Sequence, residues 1–175
     1  MNFKTTLIFV AILAVSVLSC KSDAKGKGEK SDPNLSELYR GYFDNPSNQG
    51  EFDQNAIIDY AMEHNLSVTR TESGLYYAIT QPGNGPTLRY GERVKAHYRG
   101  YFMDGTEFDS SYSRGTPLSF QIGQMNQGWN EGLTYFSSGS KGVLLVPSRL
   151  AYGEKGFPGY VPPHTVVGFD IEVLF

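Results

Sequence analysis

The chain has 175 residues, 14% of them aromatic, and a formal net charge of −3. That length holds one domain with a real core plus appendages, and the charge offers no basic field to nucleic acid. A single cysteine, Cys20, excludes an internal disulfide and any multi-cysteine metal site.

Residues 1–19 read as a signal peptide. Lys4 supplies the positive start, and Leu7 to Leu18 is an apolar run too short to span a bilayer comfortably. The run ends in Val17-Leu18-Ser19-Cys20, which resembles a bacterial lipobox. The expectation is a lipidated Cys20, with acyl chains worth roughly 0.8 kcal/mol per buried CH₂ holding the protein to the cell envelope. The outer membrane, on its periplasmic side, is the expected address. Residues 20–33 are almost wholly polar and bury too little to fold, so they read as a flexible tether.

Residues 34–72 read as a helical extension. Leu35, Leu38, Tyr39 and Tyr42 fall at helical spacing before a Pro- and Gly-containing break. Asp53 then stands where it caps a second helix running to about Asn65, with Ile57, Tyr60, Ala61 and His64 on one face. No carboxylate cluster accompanies His64, so it reads as a packing residue.

From Ser73 the period changes from helical to alternating. Leu75–Thr80 is a strand. Val94–Phe102 alternates, with Val94, Ala96, Tyr98 and Phe102 on one side and Lys95, His97 and Arg99 on the other. Asp104-Gly105 signals a hairpin, and Leu118, Phe120 and Ile122 mark a further strand. The chain's one tryptophan, Trp129, begins an i, i+4, i+7 series with Leu133 and Phe136, a short helix ended by Gly139. Val143–Val146 and the face Val167, Phe169, Ile171, Val173, Phe175 complete the strands. Gly168 sits where another backbone comes close. Strands, one short helix and more strands make an α+β pattern, an antiparallel sheet wrapped on a single helix.

The ordered set His97-Tyr98-Arg99-Gly100, Phe108-Asp109-Ser110-Ser111, Arg114, Gly128-Trp129-Asn130-Glu131-Gly132, Ala151-Tyr152-Gly153, Val161-Pro162-Pro163-His164 and Phe169-Asp170-Ile171-Glu172 closely resembles the FKBP-type peptidyl-prolyl cis–trans isomerases. The resemblance runs from about Gly91 to Phe175. It implies a strongly twisted antiparallel sheet half-wrapped around the helix at Trp129, with a proline-binding cleft between them, over an isomerase domain of residues 73–175.

By position, Trp129 matches the family's pocket floor, and Tyr98, Phe108 and Phe169 match its aromatic walls. Asp109 matches the carboxylate at the mouth, Arg114 the arginine beside it, and Tyr152 the hydroxyl that donates to a bound carbonyl. Val161, with Tyr160 and Phe157, matches the flap over the site. The loop Gly123–Gly128 is shorter than is usual in the family. Asn126 stands where an apolar residue is expected, with Met125 as the alternative wall, and Leu118 stands where an aromatic is common. Phe120, Leu133, Ile171 and Val173 read as core, Asp170 as structural and His164 as a turn residue.

The implied activity is prolyl isomerisation on the cell envelope, with proline-containing polypeptides as substrates and macrolides as ligands of the same cleft. Such chemistry needs no cofactor or metal. A backbone N–H near Met125 or Asn126, together with Tyr152, is expected to hold the carbonyls flanking proline. The competing reading is a non-catalytic peptide-binding or assembly module of an envelope complex. Oligomeric state stays open.

Overall fold

A computed structural model describes residues 33–174; the stretch read as a signal peptide, Cys20, nearly all of the stretch read as a tether and Phe175 lie outside the described residues. The extension forms α1 (Pro33–Tyr39) and α2 (Gln49–Glu63). The expected cap of α2 is displaced. Asn48, in extended conformation, is the N-cap and accepts from the Glu51 N–H, so Asp53 lies inside the helix. A short polar residue before an apolar stretch reads the same in either place, and the true cap is decided by where the backbone turns helical.

Seven strands follow: β1 (Thr69–Arg70), β2 (Tyr76–Gln81), β3 (Arg93–Phe102), β4 (Glu107–Ser110), β5 (Leu118–Gln121), β6 (Lys141–Val146) and β7 (Val167–Val173). They make one sheet in the order β1-β2-β6-β7-β3-β4, every pairing antiparallel. The ten-residue β3 serves two partners on one edge: Arg93–Ala96 pair with β5, and Arg99–Tyr101 with β4. The sheet's first strand lies at Thr69–Arg70, within the stretch read from sequence as helical extension.

The predicted short helix is α3 (Gln127–Gly132), continued by a 3₁₀ turn over Leu133–Tyr135. It ends at Phe136, whose backbone is extended, and Gly139 belongs to the following turn. Gly128 and Gly132 face β6: a Cβ at Gly128 would meet Val146 at 2.4 Å, and one at Gly132 would meet Leu144 at 2.6 Å. Their missing side chains let α3 lie against the sheet, where Trp129, Leu133 and Phe136 are buried as their spacing predicts.

Alternation along the strands builds two cores. Val94, Ala96, Tyr98, Leu144, Val146 and Phe169 join α3 in one. Tyr76, Ala78, Tyr101, Val143 and Leu145 point the opposite way and are covered by Ile57, Tyr60 and Ala61 of α2. The sheet therefore carries helices on both faces, and the extension is part of the folded unit. His64 is exposed and stacks on Tyr60 at 4.0 Å. The close neighbour of Gly168 is a side chain and not the expected backbone: the Tyr101 ring, which a Cβ would approach to 2.3 Å.

Candidate functional site

At the centre lies the Trp129 indole, 1% exposed. Three rings meet it edge-on: Tyr98 from β3 at 5.2 Å, Phe169 from β7 at 5.3 Å, and Phe120 from β5 at 5.3 Å. Such crossings set ring edges against ring faces and are worth about 0.5–1.5 kcal/mol each beyond area burial. The indole Nε1 is buried with no hydrogen-bond partner among the described residues, a cost that ordinary cores avoid. Strand alternation delivers Tyr98 and Phe169 to this face, and their strands are direct neighbours in the sheet. Phe120, read from sequence as plain core, is a third ring on the indole and only half-buried.

Above this floor the rings become accessible. Half-buried Phe108 crosses Phe169 at 5.9 Å and Tyr152 at 6.5 Å, both nearly perpendicular. Tyr152 then stacks on exposed Phe157 at 5.5 Å, and Phe157 on exposed Tyr160 at 4.9 Å. Val161 is buried and returns the loop to Phe157 through paired backbone hydrogen bonds of 2.7 and 2.8 Å.

One side of the site is polar. The Tyr98 hydroxyl donates to Asp109, accepts from Arg114 Nη2 at 2.8 Å, and Arg114 also donates to Asp109. The Arg114 guanidinium lies 5.5 Å from the Tyr98 ring centre, within cation–π reach. Burial and the hydrogen bond to Asp109 push the Tyr98 hydroxyl up to about 12. The Tyr152 hydroxyl is also raised, first by burial and then by the charge of Asp109, with the Asn126 side chain opposing. Both phenols stay protonated at neutral pH, so Tyr152 remains a donor.

The shortened loop is held by side chains of α3. Asn130 Oδ1 accepts from the backbone N–H of Gly123 at 2.7 Å and of Met125 at 3.1 Å, while its amide donates to the Met125 carbonyl at 2.7 Å. Of the backbone N–H groups near Met125 and Asn126 expected to hold a substrate carbonyl, that of Met125 is therefore occupied internally. Asn126 caps α3 by accepting from the Trp129 N–H at 2.9 Å and interacts with Tyr152. Its amide chemistry suits a helix start, which explains a polar residue at an expected apolar position. Met125 and Leu118 pack against the core cluster that contains Trp129. Asn130 escaped the sequence reading because no periodicity distinguishes its role from that of an ordinary helical surface residue.

The structure thus brings Tyr98, Phe108, Asp109, Arg114, Trp129, Tyr152 and Phe169 into one connected group, with Phe157, Tyr160 and Val161 continuing it. The family model for FKBP-type peptidyl-prolyl cis–trans isomerases matches residues 85–174, more than half of the chain. The chain belongs to the FKBP-type peptidyl-prolyl cis–trans isomerase family. It is 41% identical over 107 residues to the isomerase FkpA of Escherichia coli strain K12, an alignment that covers 61% of this chain and 39% of that one. It thus spans about two-fifths of the length of that curated relative.

Two solved structures agree with the FKBP assignment. The crystal structure of FkpA from Escherichia coli superposes with a TM-score of 0.64 at 34% identity, covering 80% of this chain and 62% of that one. A peptidyl-prolyl cis–trans isomerase from Pseudomonas syringae pv. tomato gives 0.64 at 27% identity, covering 76% and 97%.

Proposed function

We propose that this FKBP-family chain is a prolyl isomerase of the cell envelope, held there by lipid on Cys20, and that it turns X-Pro bonds of folding envelope proteins over the ring-lined site. The observation that carries the reading is the convergence of Tyr98, Phe120 and Phe169 on Trp129, beneath accessible Phe108 and Tyr152 and beside the Tyr98–Asp109–Arg114 group.

Rotation about the amide makes and breaks no covalent bond, and its barrier is about 18–20 kcal/mol. Accelerating it by roughly 10⁴ to 10⁶ asks for only about 5.5–8 kcal/mol. The twisted transition state loses amide conjugation and part of its carbonyl dipole. A site walled by rings favours that less polar form over the planar, solvated ground state. Tyr152, kept protonated, donates to a carbonyl beside proline. Such a bond contributes about 0.5–1.5 kcal/mol net, so shape and desolvation supply the larger share. Asp109 and Arg114 hold the Tyr98 ring in place rather than transferring a proton.

The test is proline-limited refolding, with peptides that vary the residue before proline. The wild-type chain accelerates both, and Phe108→Ala lowers kcat/KM by about tenfold or more, corresponding to about 1.4 kcal/mol of transition-state binding. A folded Phe108→Ala protein with full activity removes the site assignment. A wild-type chain that binds prolyl peptide without isomerising it is instead the binding module. A family macrolide competes with peptide in either case. For the anchor, fatty-acid labelling is lost in Cys20→Ala, and an unlabelled wild-type chain in cells refutes lipidation.

A further inference from the structure

The segment 147–164 carries Tyr152, Phe157, Tyr160 and Val161, and α2 of the extension grips it at both ends. At its start, Asp53 Oδ2 accepts from the Ser148 N–H at 2.8 Å and from its Oγ–H at 2.6 Å. At its end, Gln49 Nε2 donates to the His164 carbonyl at 3.2 Å, and the same nitrogen donates to Asp53 Oδ1 at 2.6 Å. The segment closes on itself between these grips, since the His164 N–H donates to the Gly153 carbonyl at 2.9 Å. From Ser148 the route to Tyr152 is a single 3₁₀ turn, Ser148–Leu150, whose end is tied back to Pro147.

Asp53 is 2% exposed, and a buried carboxylate is expensive unless its oxygens are satisfied. The helix itself has no need of it there, because Asn48 already caps the N-terminus. Its hydrogen bonds go to Gln49 of its own helix and to Ser148 of the site-bearing segment. A cleft of about 320 Å³ opens beside it, lined among others by Phe52, Met103 and His164.

We propose that Asp53 is a positioning residue for the isomerase site: through Ser148 directly and His164 by way of Gln49, it holds segment 147–164 where Tyr152 and the flap rings meet substrate. The effect on rate rests on the isomerase reading above; the effect on segment order does not. The extension thereby becomes part of the frame of the site. By this geometry a change at α2 reaches Tyr152 without any contact between α2 and substrate.

The experiment compares the full chain with Asp53→Ala, Asp53→Asn and Gln49→Ala by hydrogen exchange and by peptide isomerisation. In Asp53→Ala, amide exchange over residues 150–161 rises about tenfold or more while that of β3 and β7 does not, the signature of local opening. In the same variant kcat/KM falls about three- to tenfold, as displaced catalytic geometry does. Asp53→Asn keeps an acceptor oxygen for Ser148 and recovers most of both. Exchange unchanged over 150–161, or raised equally throughout the sheet, overturns the proposal. If Asp53→Ala does not fold, Gln49→Ala, at an exposed position, decides: a local rise towards residue 164 upholds it and no change overturns it. If the wild-type chain proves inactive, the isomerase reading falls and the exchange result alone decides the positioning role.

Discussion

Replacing Tyr98 by Phe removes one oxygen and keeps the ring that meets Trp129 at 5.2 Å. That oxygen donates to Asp109 and accepts from Arg114 at 2.8 Å. Hydrogen bonds to charged groups contribute about 1.5–3 kcal/mol when fully dry. Here the Asp109 and Arg114 side chains are 35% and 47% exposed, so water replaces part of what is lost and the two ions keep each other. The expected cost is therefore about 1–1.5 kcal/mol. Tyr98→Ala removes the ring as well, and large aromatic truncations in cores cost about 3–5 kcal/mol.

The assay is urea unfolding followed by the fluorescence of Trp129, the one tryptophan, whose surroundings are the rings in question. With the ring held less firmly, kcat/KM of Tyr98→Phe falls about three- to tenfold, the equivalent of about 0.7–1.4 kcal/mol. If Tyr98→Phe is as unstable as Tyr98→Ala, the hydroxyl network and not ring packing dominates, and the reasoning fails. If Tyr98→Phe matches wild type in both stability and rate, the polar group beside the site is ornamental and Asp109 loses its assigned part.

The same pair of proteins carries a pH signature. The Tyr98 hydroxyl is raised from 10.0 to about 12 in the folded chain, so its contribution is complete below pH 10 and declines between pH 10 and about 12, as the unfolded chain gives up its proton first. The stability gap between wild type and Tyr98→Phe should narrow over that window; Tyr112, also raised to about 12 by burial and Glu172, is present in both and cancels. Gly168→Ala would put a Cβ 2.3 Å from the buried Tyr101 ring and is expected to cost about 1–3 kcal/mol, read as a lower Tm in thermal unfolding; an unchanged Tm would mean that the ring swings aside. Asn126→Ala removes the α3 cap and should cost about 1 kcal/mol, while Asn126→Asp retains the acceptor and stays near wild type, both measured by urea unfolding.

Alternation and spacing were enough to place β2, β3, β5, β6 and β7 and the buried series Trp129, Leu133, Phe136, because burial on one face forces a period that the residue order displays directly; the short β4 was signalled only by the hairpin at Asp104-Gly105. Ordered motifs were enough to gather Tyr98, Asp109, Trp129, Tyr152 and Phe169 as one group before any coordinates. Three features required the folded chain. Asp53 looked like a cap, and its partner proved to be Ser148, 95 residues away. Asn126 looked like a misplaced wall residue, and it caps the helix that carries the indole. The extension read as two helices with no docking partner that the sequence could name, and it covers the second face of the sheet with Ile57, Tyr60 and Ala61. Periodicity reports only whether a side chain is buried within its own element. The atom across the gap is set by how distant segments dock, and a polar group's role depends on that atom.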